Sequence, residues 1–242
     1  MSPGTFCYWG GILLELSIFV DKSGSQSGNS RYCLVTLLFH DQSSPIADLI
    51  DAYENDLRRK YLPNLPFHAS PLMNGHESYE AMDIGGRKKL LSAFEGFARK
   101  LPYLYKSFVY RRSEVATSEQ FIARLKKDLV IFLTDYLLYF QIYDKVKFCY
   151  DNGQQMVTSA LHSAIDFILS KDAILYRMAS APDYRLFQVV DYLCTLELTD
   201  IKYREKHLTK TDIKIFGEDY QAFKRNHLKR IRRKLLKQTS GT

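Results

Sequence analysis

Two hydrophobic periods run along the chain, and each predicts its own kind of element. Ile12 to Val20 is a short apolar run bounded by Gly10-Gly11 and Ser23-Gly24, which predicts a buried strand ending at Asp21. Lys22 to Ser30 is rich in Ser, Gly and Asn and predicts a hairpin loop, with Arg31 to Phe39 as the returning strand. Ile46, Leu49, Ile50, Tyr53 and Leu57 recur at helical spacing within Ile46 to Tyr61. Pro63, Pro66 and Pro71 then predict an irregular segment around Phe67-His68-Ala69-Ser70. A helix over Arg87 to Leu101 and a strand over Tyr105 to Arg111 follow.

Thr117 or Ser118 can cap a helix running to about Tyr143, with Phe121, Leu125, Leu129, Phe132, Tyr136 and Phe140 on its apolar face. Val146, Phe148 and Tyr150 alternate with Lys145, Lys147 and Cys149, predicting a strand that Asn152-Gly153 terminates. A helix to about Leu169, a short strand from Ala173 to Met178 and a helix from Arg185 to Leu198 complete the body. Strands followed by alternating helix and strand predict an α/β fold with a central mixed β-sheet flanked by helices. The division expected is residues 1–205 as one domain and 206–242 as a C-terminal basic helical extension.

Charge sharpens the second half of that division. The formal net charge is +7, but Lys224 to Lys237 holds Lys224, Arg225, Lys229, Arg230, Arg232, Arg233, Lys234 and Lys237 with no acid, leaving the other residues close to neutral. Charge can therefore be read as nucleic-acid contact only in the tail, with Lys229, Arg230, Arg232 and Arg233 as candidates. The same amphipathic tail could instead pack on the body with its charges outward, or meet a partner or an anionic membrane surface. Cys7, Cys33, Cys149 and Cys194 have no paired spacing for zinc and are expected to be buried reduced thiols. The N-terminus has no basic residue before its apolar stretch, and no run of 18 uncharged apolar residues occurs. A soluble cytoplasmic protein without membrane contact is expected.

Three aspartates stand at positions where chemistry is usually placed. Asp21 and Asp151 each end a predicted strand, and sites in open α/β sheets form outside the carboxyl ends of strands. On Asp21's strand, Ile12, Leu14, Leu16, Ile18 and Val20 share one parity, and Asp21 falls on the other with Phe19. Asp191 belongs to a narrow polar stripe, Gln188, Asp191 and Thr195, on an otherwise apolar helix, where an unpaired carboxylate is costly. Aspartates converging from two strands and a helix are suited to Mg²⁺ or Mn²⁺, which take oxygen ligands and support phosphodiester cleavage.

Four segments, in order, resemble the domain of unknown function 3800 (DUF3800) family, an RNase H-like group to which nuclease activity is ascribed from its fold. Ile18 to Gly24 is similar to its opening strand, and Phe67-His68-Ala69-Ser70 to its His-Ala-Ser element. Phe148 to Gln154 resembles its middle strand, and Leu186 to Cys194 its late Gln-x-x-Asp helix. The resemblance implies an RNase H-like fold, a metal site of Asp21, Asp151 and Asp191, His68 beside it orienting water or substrate, and hydrolysis of nucleic acid. Two positions depart from the family pattern: its acid after the first Asp is Lys22, and its acid after His-Ala-Ser is Pro71. Both departures remove negative charge. They leave open a degenerate, non-catalytic module that binds nucleic acid or a protein, in a mobile-element or phage-defence setting. Lys22 could serve there as a phosphate contact.

Overall fold

The computed structural model describes residues 13–24, 31–115, 117–150 and 184–236, the backbone of 173–177, and residues 157, 160, 161 and 163–165. Five strands form one sheet: β1 (Glu15–Ser23), β2 (Tyr32–Asp41), β3 (Leu104–Arg111), β4 (Lys145–Tyr150) and β5 (Ala173–Arg177). Their order is β3-β2-β1-β4-β5. β2 runs antiparallel to both β1 and β3, whereas β4 is parallel to β1 and β5 to β4. Three antiparallel strands continued by two parallel ones, with helices on both faces, make the mixed RNase H-like α/β sheet that the sequence led us to expect.

Strand alternation sorts the residues of β1 and β2 into two cores. Leu16, Ile18, Val20, Val35, Leu37 and Phe39 face α4 (Ser118–Asp135) and α5 (Leu137–Gln141), together with helical Val157, Leu161 and Ile165. Phe19 and Leu38 face the opposite layer. That layer comprises α1 (Ala47–Arg59), α2 (Ala69–Asn74), α3 (Ile84–Lys100), α6 (Arg185–Arg204) and α7 (Lys210–Phe216). Phe223, Leu228 and Ile231 of the C-terminal segment belong to the same layer and are fully or almost fully buried. Burying a side chain of that size contributes about 1.5–3 kcal/mol, enough for three such residues to hold the segment on the body. Among the described residues no helix is long and apolar enough to cross a membrane, and Cys33, Cys149 and Cys194 are buried free thiols.

Several elements differ from the sequence-based expectation. β1 does not stop at Asp21: Asp21, Lys22 and Ser23 pair with Thr36, Val35 and Leu34, so the strand outruns its predicted end. The helix expected over Ser118 to Tyr143 breaks at Tyr136, whose buried ring sits at the junction between α4 and α5. The irregular segment contains α2, in which Pro71 occupies the third position, where a missing N–H costs nothing. α3 starts before Arg87 because the Asp83 carboxylate accepts from the Gly86 N–H at 2.6 Å. The tail helix is interrupted: α-helical Tyr220–Phe223 passes through a π-turn at Lys224–Leu228 before Lys229–Ile231 and a 3-10 turn at Arg232–Lys234. The Asn152-Gly153 turn lies outside the described residues.

Candidate active site

Asp21 and Asp191 come together beneath α6. The parallel ladder between β1 and β4 ends at Val20 and Tyr150, while β1 continues three residues further along β2, through Asp21, Lys22 and Ser23. Asp21 therefore sits where β1 outruns β4, on the face it shares with Phe19. Phe19 meets Phe187 edge-on, with ring centroids 5.1 Å apart, which registers β1 against the first turns of α6. One turn on, Asp191 and Cys194 look down on Asp21, and the Cys194 thiol reaches the Asp21 carbonyl at 3.6 Å.

The Asp191 carboxylate has one partner from the third candidate segment. The Ala69 N–H, at the start of α2, donates to Asp191 Oδ2 at 2.8 Å. Among the described residues no lysine, arginine or histidine pairs with Asp191. Burial raises the pKa of its carboxyl, the facing charge of Asp21 raises it further, and the Ala69 bond only partly offsets both, so that it is pushed up to about 8. Burial also holds the Cys194 thiol well above the usual range, with Asp21 acting in the same direction, so the sulfur stays protonated and a poor ligand.

The other buried acids are matched with cations. Glu197 and Asp200 are bonded by Arg232, Asp212 by Lys202, and Glu95 by His227. Asp191 differs from all four in facing another carboxylate. Asp191, which faces the Asp21 carboxylate and has no cation partner among the described residues, fits a hard divalent ion, whose charge would offset both the repulsion and the desolvation. The described residues contain no cluster of three potential metal ligands, and Asp151 lies outside them.

Three candidates are placed differently from the simplest reading. Lys22 follows Asp21 on a pleated strand and points to the opposite face, with its ammonium 5.4 Å from the centre of the Phe121 ring on α4. Its ammonium therefore points away from the face that carries Asp21. The His68 backbone leads into the Ala69 contact, but its imidazole is 57% exposed and turned toward Glu77, with Nδ1 3.7 Å from Oε2. Arg232 is bound within the protein by Glu197 and Asp200 rather than offered to solvent, unlike Lys229, Arg230 and Arg233.

Tyr79 was not among the candidates. Its hydroxyl accepts from the His68 N–H at 3.0 Å and donates to the Pro66 carbonyl at 2.8 Å, pinning the chain that carries Ala69. Phe67 anchors the same segment by stacking on Phe94 at 3.8 Å. Tyr79 lies in a polar stretch, and its distance along the chain from Asp191 hides the link. Tyr79→Phe strands two backbone groups, and we expect a loss of about 1–2 kcal/mol in denaturant unfolding. An unchanged unfolding midpoint would show that the segment is held by Phe67 alone.

No protein-family model matches the chain, and no curated protein matches it in sequence. Among solved structures it is similar to a chain of the PCNA:RNase HII complex from Archaeoglobus fulgidus. The two are 11% identical over 90% of this chain and 87% of that one, with a TM-score of 0.39. The fold assignment rests on the strand order and directions described above.

Proposed function

We propose that the chain is a nuclease dependent on Mg²⁺ or Mn²⁺, related to the DUF3800 family, that hydrolyses phosphodiester bonds in nucleic acid. The observation that supports this reading is the pairing of Asp21 with Asp191 on the sheet face under α6. Asp151, directly after Tyr150 at the end of the neighbouring strand, is proposed as the third ligand. A divalent ion bound there would activate water and offset negative charge at the scissile phosphate. Asp21 and Asp191 supply hard oxygen donors, and the Ala69 N–H fixes the orientation of the Asp191 carboxylate. His68, exposed at the start of α2, is proposed to orient substrate. Lys229, Arg230 and Arg233 are proposed to contact the phosphate backbone.

The alternative is the non-catalytic module. One of its two grounds was Lys22, and that ammonium lies on the far side of the sheet. Thermal unfolding in millimolar Mn²⁺ separates the two readings. An ion at 100 times its dissociation constant stabilises by about 2.7 kcal/mol, or about 5–10 °C for a chain of this size. The shift is expected to be larger at pH 8 than at pH 6, because the ion must displace a proton from Asp191. No shift at either pH, or an equal shift in Asp21→Asn, favours the non-catalytic module.

A further inference from the structure

On the layer that carries α6, a cleft of about 450 Å³ opens between α3 and the C-terminal segment. Its lining includes Lys88 and Arg99 from α3, and Arg225, Asn226, His227 and Arg230 from the C-terminal segment. Neither Asp21 nor Asp191 belongs to it. Four permanent cations meet a single acid, Glu95, which is already engaged by the Tyr192 hydroxyl at 3.0 Å and by His227 Nδ1 at 2.5 Å.

The local backbone is shaped to make this cleft. The π-turn at Lys224–Leu228 widens the helix where Arg225, Asn226 and His227 line the opening. Such turns recur at functional sites because they turn side chains and carbonyls out of helical register. Here the Asn226 carbonyl is taken by Arg99 Nη2. The Arg99 side chain is only 23% exposed, its carboxylate contact to Glu95 is long at 3.5 Å, and its Nε has no hydrogen-bond partner among the described residues. A partly desolvated guanidinium with so little bonding gains from an anion with several oxygens.

We infer that this cleft is a phosphate-binding site, separate from the aspartate pair. Lys88, Arg225 and Arg230 gather the phosphate at the rim, and Arg99 binds it at the floor. Its volume admits one nucleotide unit. The phosphate belongs either to the diester backbone of a nucleic-acid strand or to a free phosphomonoester.

The test uses the full chain in EDTA, so that the aspartate pair plays no part. A fluorescently labelled 20-nucleotide single strand is titrated at several salt concentrations, with adenosine monophosphate as competitor. Lys88→Gln/Arg230→Gln removes two exposed cations that make no ion pair among the described residues. This variant is expected to weaken strand binding about 10-fold or more and to flatten the salt dependence by about 1.4 in log–log slope. Lys126→Gln/Lys127→Gln, on α4 across the sheet, removes the same charge and is expected to bind as the parent does. Displacement by the monophosphate assigns the site to a phosphomonoester, and strand binding without displacement assigns it to the diester backbone. The inference is overturned if the parent binds neither probe, if the cleft variant binds unchanged, or if the α4 variant loses as much.

Discussion

Asp191→Asn is expected to cost at least about 100-fold in metal-dependent cleavage while leaving the folded protein as stable as the parent, or more so, at pH 8. The two effects have opposite signs because the same carboxylate is proposed to bind an ion and is poorly accommodated without one. Its pKa rises from 3.8 to about 8 on folding, chiefly through burial and then through Asp21. Between those values the folded chain holds a proton that the unfolded chain has lost, so this group's contribution to stability falls as pH rises through that window. An amide cannot ionise, and its oxygen can still accept from the Ala69 N–H. The substitution should therefore recover about 1–3 kcal/mol at pH 8 and almost nothing near pH 4. Cleavage of a labelled oligonucleotide in Mn²⁺, together with melting curves at both pH values, reads both effects. Full activity would remove Asp191 from the site. A lower melting temperature at pH 8 would show that its charge is already satisfied.

Much of this arrangement was legible in local pattern, and the limits of that legibility are physical. The period of two in β1 places Asp21 with Phe19, and the same rule, carried one residue further, turns Lys22 to the other face. The spacing of Gln188, Asp191 and Thr195 marks a polar stripe that has to meet something. That its partner is the Ala69 amide could not be read, because a backbone donor has no sequence signature and lies 122 residues away. The π-turn at Lys224–Leu228 was hidden for a different reason. Residues 220–237 carry a good amphipathic period, which gives no sign of a widened turn. The basic run invited a uniform reading as solvated charge. Yet Glu197, Asp200 and Arg204 lie three and four apart on α6, the same kind of stripe that drew attention to Asp191, and they marked where one of those arginines would be taken up.

Arg232→Met is expected to destabilise the chain by about 3–5 kcal/mol, the largest loss for any single cation in the tail. Its guanidinium donates to Glu197 Oε1 at 3.1 Å, to Glu197 Oε2 at 2.5 Å and to Asp200 Oδ2 at 2.8 Å. Burial opposes its charge, but those two carboxylates outweigh burial and hold its pKa above the ordinary arginine value. The side chains it serves are themselves covered, Glu197 at 11% exposure and Asp200 at 1%. Methionine keeps much of the packing volume and removes the charge, leaving Glu197 with only the Tyr105 hydroxyl at 2.8 Å among its described partners. Asp200 retains the Tyr220 hydroxyl and Arg204, so its share of the loss is smaller. A drop of about 6–20 °C in melting temperature follows for a chain of this length. Arg233→Met, one residue along and exposed, should change stability by no more than about 0.5 kcal/mol. Equal melting temperatures for the two variants would mean that the tail is held by Phe223, Leu228 and Ile231 alone. A low melting temperature confined to Arg232→Met would show that this cation fastens the tail to α6, apart from any phosphate contact made by its neighbours.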